Sequence, residues 1–185
     1  FEAARRMKAI EGIEKLRETI DTLVLIDNER LTQVAGTLPL KPALGVANEL
    51  VGTFVKNITE AITVPSLMNI DYEDLRAITM QGGISSIGIG EGRGEDRIAT
   101  AVSQALGTPL LDIPDISATQ GVLIHIAGGF DMTLEEVARV GEIVAGKVSH
   151  TTNFAWGARV DPTLQGRIRV MAVLTGFEDI PSVIT

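Results

Sequence analysis

The side chains best suited to chemistry in this sequence lie in the segment Asn69-Ile70-Asp71-Tyr72-Glu73-Asp74. Asx residues in such segments commonly cap helices, because their side-chain oxygens accept hydrogen bonds from free first-turn amides. Asp71 and Asp74 are also one helical turn apart, so their carboxylates could project together and polarise a water molecule or share a hydrated cation. The two interpretations are compatible, since capping uses one oxygen and leaves others available.

A long apolar segment, residues 42 to 62, leads to these acids. Its apolar residues recur every three to four positions, which predicts a helix. The charged residues Glu49, Lys56 and Glu60 fall on one narrow stripe at about 100° per residue. Only that stripe can face water, so we predict a helix about 30 Å long that packs on two sides and carries the acids at its end.

The remaining patterns alternate between helices and strands. Residues 2 to 20 predict an amphipathic helix, and the apolar run 22 to 26 is typical of a strand buried on both faces. The later elements are expected as a short helix at 29 to 35, a helix at 72 to 80, a strand at 84 to 89, helices at 95 to 106 and 133 to 148, and strands at 121 to 127, 153 to 160 and 167 to 175. Thr133 and Glu136 form a capping box at the start of the helix at 133 to 148. The last two strands should be joined by a hairpin-like connection over 161 to 166. This order favours an α/β (α+β) fold, with helices packed on a mixed sheet.

Two other features could suggest ligand sites. The glycine-rich segment 88 to 94 fails the dinucleotide and P-loop patterns, because Arg93 replaces the third glycine of GxGxxG and no Gly-Lys-Ser/Thr follows. We therefore expect it to be a flexible turn. His125 lies in an apolar strand, His150 lies in a loop, and there is no cysteine, so we expect no metal site.

The composition excludes several functional classes. A net charge of −8 and a pI near 4.8, with no basic run, argue against binding to nucleic acid. No apolar run reaches about 18 residues and there is no signal peptide, so we expect a cytoplasmic protein without direct membrane insertion. The sequence begins at Phe1 directly in a helical pattern, and its first helix and strand cannot bury their own faces, so we expect a fragment of a longer protein.

Several segments at consistent spacing resemble the FtsZ family, the tubulin-like cell-division GTPases. They are residues 5–9, 21–28, 62–74, 87–97, 121–129 and 169–177, of which the Asn-x-Asp-x-x-Asp segment after a long helix is highly specific. The family's glycine-rich nucleotide signature is missing. The resemblance implies that residues 1–41 are a remnant of the GTP-binding domain, 42–68 the central helix and loop, and 69–185 the C-terminal GTPase-activating domain.

The resemblance also implies a catalytic site shared between the subunits of a head-to-tail homopolymer. Asn69, Asp71 and Asp74 would enter a neighbour's nucleotide pocket, where the two acids would position and polarise the attacking water. The residues that would contact the chain's own GTP or GDP are Glu2 and Arg6 near the ribose and phosphates, Asn28, Leu44 and Asn48, with Asn48 at the guanine. Leu44 stands where the family usually has an aromatic residue stacked on the base. Glu2 and Arg6 are also spaced for a surface ion pair.

The expected partners follow from the same resemblance. They are other copies of the protein, with division-ring and membrane-tethering proteins recruited through a C-terminal tail that this sequence lacks. Mg²⁺ is expected with the nucleotide, and the expected location is the division site. Without the phosphate-cradling loops, the chain alone should neither bind GTP tightly nor hydrolyse it.

Two other functions stay open at this point. One is a tubulin-superfamily GTPase with a cell-shape role, and the segment Gly88-Ile89-Gly90-Glu91-Gly92 favours the division protein over it. The other is a non-catalytic α/β binding module. The unpaired helix and strand at residues 2 to 26 argue against that module.

Overall fold

The computed structural model describes residues 2–26, 40–64, 68–80, 82–107 and 115–177, without the side chains of residues 2, 3, 40–44, 46, 47 and 50. The helices are α1 (Glu2–Arg17), α2 (Leu40–Thr63), α3 (Tyr72–Thr79), α4 (Arg97–Gly107) and α5 (Leu134–Ala145). The strands are β1 (Leu23–Val24), β2 (Ile84–Arg93), β3 (Gly121–Gly128), β4 (Asn153–Val160) and β5 (Arg167–Phe177). The short helix expected at 29 to 35 lies outside the described residues. The other predicted helices are confirmed.

The five strands form one mixed sheet in the order β1-β2-β5-β3-β4, which confirms the predicted fold class. Strands β1 and β4 run parallel to their neighbours β2 and β3, whereas β5 is antiparallel to both β2 and β3. The hairpin-like connection between β4 and β5 was therefore a wrong prediction. Strand β5 is buried on both faces from Val170 to Gly176. It lies between β2 and β3, which pair with its two edges.

Residues 88 to 93 of the glycine-rich segment belong to strand β2, so the predicted flexible turn was wrong. Gly88, Gly90 and Gly92 share the face that α4 covers. A methyl group at these positions would lie 1.7, 2.0 and 1.8 Å from the carbonyl oxygens of Ala105, Ala101 and Arg97, respectively. Every second residue of this part of β2 is glycine because the backbone of α4 can contact the strand only where no side chain projects towards the helix.

The opposite face of the sheet supports the central helix α2. Phe54, Ile58 and Ala61 pack there among buried residues of the sheet and α3. Packing on a second side is not seen at Val51 and Val55, which are 41% and 55% exposed in the described structure.

The charged stripe of α2 also differs from the prediction in one place. Lys56 faces water, but Glu60 lies against β4, where its carboxylate is 3.0 Å from the guanidinium of Arg159. Arg159 is also 3.2 Å from the carboxylate of Asp161. This ion-pair network joins the helix to the sheet.

Strand β1 is shorter than predicted and only half-buried. Among the described strands it lies at the end of the sheet order, next to β2. The edge position explains why the strand is not buried on both faces, although its apolar residues are typical of an interior strand.

Candidate functional site

Met68, which lies between α2 and α3, pairs with strand β4 on the edge opposite to β3. Met68 and Ala158 form an antiparallel bridge, in which the Met68 amide donates to the Ala158 carbonyl at 3.2 Å and the Ala158 amide donates to the Met68 carbonyl at 3.0 Å. Two residues later, Ile70 is 2% exposed and belongs to the apolar cluster beneath α2. The intervening Asn69 and the following Asp71 are exposed.

Asp71 caps helix α3, as predicted. Its Oδ1 accepts a hydrogen bond from the Asp74 amide at 2.7 Å, and the helix begins at the next residue, Tyr72. The cap uses one of the two carboxylate oxygens. Asn69, Asp71 and Asp74 are all exposed, so one short surface segment carries two carboxylates and an amide side chain.

The far end of helix α3 is also held on the sheet. Ile78 is buried, and its carbonyl accepts a hydrogen bond from the Thr175 hydroxyl of β5 at 3.1 Å. The exposed acids therefore lie on a segment that is anchored at both ends. Rigid support of this kind is what a precisely positioned catalytic group needs.

His125 lies on the face of the sheet that α2 covers, and its side chain is 3% exposed. Burial, together with the nearby positive charge of Arg159, lowers the pKa of His125 to about 4. The side chain is therefore a neutral core residue at ordinary pH. Within the described part of the chain, no group of three or more His, Asp or Glu residues is arranged to hold a metal ion.

Of the residues predicted to contact the chain's own nucleotide, only Arg6 and Asn48 are described with their side chains. Arg6 is exposed on α1, and Asn48 is exposed on α2. The side chains of Glu2 and Leu44, and the whole of Asn28, lie outside the description. At a rise of ~1.5 Å per residue, the distance along α2 from Asn48 to the C-terminal end of the helix is about 22 Å. These contacts stay predictions.

Sequence analysis missed a buried cluster around Arg97. Its guanidinium donates to both carboxylate oxygens of Glu136 at 2.7 and 2.8 Å, and also to the side chain and the carbonyl of Asp131. Hydrogen bonds to Glu136 and Asp131 raise the pKa of Arg97 above its usual value. Glu136 also completes the predicted capping box with Thr133. The cluster joins α4 to the start of α5, so its role is structural. In the sequence, the feature that could have indicated it is an arginine at a position where the helix is expected to be buried.

The two contacts that hold the N-terminal end of the acid segment (residues 68–74), the bridge from Met68 and the burial of Ile70, were also not predicted from the sequence. Ile70 was visible as the apolar residue between two polar ones, Asn69 and Asp71. The partner of Met68 could not be inferred, since Ala158 is distant in the sequence and backbone pairing leaves no trace in residue type.

Known proteins share this architecture. Residues 83–178 match the model of the FtsZ family, C-terminal domain. A structure titled "FtsZ dimer, empty" from M. jannaschii superposes with a TM-score of 0.86 at 42% identity, covering 93% of this chain and 50% of that one. CetZ2 from Haloferax volcanii, in a GTPγS-bound protofilament, gives a TM-score of 0.73 over 97% of this chain and 54% of that one, and at 20% identity it shares the fold alone. The fold and the matched family model define the C-terminal domain of a tubulin-like protein.

The chain belongs to the FtsZ family, which confirms the resemblance. Cell division protein FtsZ 2 of Methanocaldococcus jannaschii is 44% identical over 182 residues, covering 96% of this chain and 47% of the relative. Cell division protein FtsZ 1 of Archaeoglobus fulgidus is 42% identical over 176 residues, covering 95% and 48%. The chain thus spans about half the length of the curated relatives it matches. Among the described helices, none has the length and apolarity needed to cross a membrane.

Proposed function

We propose that this chain acts within a filament-forming cell-division GTPase, where it supplies the acids that activate hydrolysis of GTP bound to the adjacent subunit. The observation that carries this proposal is the exposure of Asn69, Asp71 and Asp74 on a segment anchored at both ends. Carboxylates held rigidly at a surface are suited to act on a group that another molecule brings.

The position of the acids relative to α2 supports a site shared between subunits. Asn48, proposed to contact the chain's own nucleotide, lies about 22 Å along the helix from the end that leads to the acids. Two functional surfaces separated by this distance along one helix suit a heterologous, head-to-tail contact, in which each subunit offers one surface to each neighbour. Hydrolysis would then depend on assembly.

The chemistry required of the acids is modest. Phosphoryl transfer needs positioning and charge stabilisation more than covalent participation by the protein. One carboxylate oxygen of Asp71 holds the helix cap, and the other, with the carboxylate of Asp74, would accept hydrogen bonds from the attacking water and orient it. Asn69 would add a neutral hydrogen bond. Mg²⁺ is usually bound by one or two carboxylates together with substrate phosphates, so these residues fit an ion that accompanies the nucleotide.

The rest of the proposal concerns the whole protein. GTP or GDP would be held mainly by a nucleotide domain outside this sequence, so the chain alone would be inactive. The subunits would polymerise with one another at the division site in the cytoplasm. The division role, rather than a cell-shape role, is favoured by relatives that are named cell division proteins.

The test is the substitution Asp71→Asn in the full-length subunit. Asparagine can still cap the helix but carries no carboxylate. We expect GTP turnover to fall by about 10²-fold, with GTP affinity within about twofold of the parent, because the acid would serve a neighbour's nucleotide. Asp74→Asn should behave in the same way.

Glu73→Gln is the matched control, because Glu73 is an exposed acid of the same segment to which we assign no role. It should leave turnover unchanged. Normal turnover in Asp71→Asn would mean that Asp71 is only a helix cap, and the proposed function would fail. Parallel losses of affinity and turnover would place the acids in the subunit's own pocket.

A further inference from the structure

We infer that Gly157 is a positioning residue for the acid segment. Met68 and Ile70 occupy the space that a side chain at position 157 would fill, and we call this space the seat. The effect on GTP turnover rests on the proposed function. The seat itself rests only on the structure.

Gly157 immediately precedes Ala158, the partner of Met68 in the bridge on the edge of β4 opposite to β3. A methyl group at Gly157 would lie 2.8 Å from Cγ1 of Ile70 and 2.9 Å from the carbonyl oxygen of Met68. Carbon atoms in contact are normally about 3.5–4.0 Å apart, so both neighbours would have to move.

The backbone conformation does not explain this glycine. The described glycines with positive φ are Gly82, Gly83, Gly94, Gly166 and Gly176, and Gly157 is not one of them. An alanine could therefore adopt the backbone of residue 157 without strain. What excludes alanine is contact with the acid segment.

The Met68 carbonyl and the Ile70 side chain both hold the N-terminal end of that segment on the sheet. The Met68 carbonyl is the acceptor for the Ala158 amide at 3.0 Å, so displacing it strains the bridge. Ile70 directly precedes Asp71, whose carboxylate is bonded to the Asp74 amide at 2.7 Å. A shift of Ile70 would therefore move both acids. Misplacing a catalytic group by about 1 Å can cost about 10²-fold in rate.

The first measurement is amide hydrogen exchange in the full-length Gly157→Ala subunit, which needs no GTP. We expect the amides of Met68 and Ala158 to exchange about tenfold faster or more, because the bridge is weakened. The amide of Ile124, in the interior strand β3, should be unchanged, which shows that the fold is retained. Gly141→Ala on α5 is the matched control, because a methyl group there meets nothing within 4 Å.

The second measurement is GTP turnover at saturating GTP, compared at equal amounts of sedimented polymer. Gly157→Ala should lower kcat by about tenfold or more without changing the Kd for GTP, whereas Gly141→Ala should change neither. Ile70→Ala perturbs the same contact from the loop side and should also lower kcat. The fold-loss of kcat in the double variant should be smaller than the product of the two separate fold-losses, because alanine at position 70 lacks the Cγ1 atom with which the new methyl group clashes.

The outcomes separate the inference from the proposed function. Unchanged exchange at Met68 and Ala158 overturns the seat, whatever happens to turnover. Faster exchange with normal kcat, while Asp71→Asn loses turnover, overturns the positioning role but leaves the proposed function standing. Normal turnover in Asp71→Asn defeats the proposed function and the positioning role together, and exchange then decides on the seat alone.

Discussion

At the scale of single residues, the acids of this chain combine a structural and a proposed catalytic role. Asp71 uses one oxygen to cap α3, and the cap also fixes the amide of Asp74, the second acid. Substitution of Asp71 by alanine would therefore change helix stability and charge together. Only a cap-preserving substitution can separate the two roles.

His125 gives a prediction about stability at the same scale. Its folded pKa of about 4 lies below the ordinary histidine pKa of about 6.5, so the unfolded chain takes up a proton first as the pH falls. The unfolding free energy should therefore decrease as the pH is lowered from about 6.5 towards 4, by about 3 kcal/mol in all. Urea denaturation across this range measures the decrease.

His125→Gln is the control, since glutamine does not titrate. The variant should show a flatter dependence between pH 6.5 and 4.5, a range above the usual pKa of the Asp and Glu side chains. Equal slopes for the parent and the variant would mean that His125 is not the group responsible.

At the scale of elements, the structure depends on close contact between β2 and α4. The carbonyl oxygens of α4 lie where side chains would project from Gly88, Gly90 and Gly92. These residues are better understood as a packing surface than as a turn. Backbone contact of this kind cannot adapt by changing a rotamer, so it should tolerate no added atoms.

Gly90→Ala should therefore destabilise the protein by about 3 kcal/mol or more. The new methyl group would lie 2.0 Å from the carbonyl oxygen of Ala101, so the helix must move away from the strand. Gly107→Ala, at the end of the same helix, is the control, because nothing lies within 4 Å of its added methyl group. Thermal or urea unfolding of both variants measures the difference, and similar stabilities would refute the packing account.

The predictable and unpredictable parts of the fold divide according to whether the information is local. Helix periodicity and the Thr133 capping box are local, and α2, α3 and α5 were found from them. The place of β5 between β2 and β3 depends on pairing between distant segments. The glycines of β2 were misinterpreted because the packing of α4 decides whether alternating glycines form a strand or a turn.

The candidate site divides in the same way. Residue type and spacing singled out Asp71 and Asp74, and the family resemblance supplied the catalytic role that is proposed for them and for Asn69. The features that fix them in space, such as the bridge from Met68 to Ala158, join residues far apart in the chain. The ion pair between Glu60 and Arg159 was missed for the same reason.

At the scale of the whole molecule, we expect the chain to interfere with polymerisation. It carries the surface around Asp71 and Asp74, and it lacks the nucleotide-binding signature proposed to form the opposite surface. It should dock onto the exposed nucleotide surface of a filament end and offer no matching surface to the next subunit. Substoichiometric chain should therefore shorten filaments of the full-length protein at fixed GTP, as measured by light scattering and electron microscopy. Unchanged lengths at equimolar chain would contradict this placement of the interface.

The most direct test of the central claim is complementation between subunits. Full-length protein carrying Asp71→Asn and Asp74→Asn should still bind GTP but turn it over very slowly, because no subunit supplies the acids. Adding the 185-residue chain with its acids intact should restore turnover at the contacts where it docks, whereas the same chain with both substitutions should not. Restoration by the intact chain alone is the predicted result. Equal turnover with the intact and the substituted chain, at equal binding, would contradict the claim that these two acids act on a neighbour's GTP.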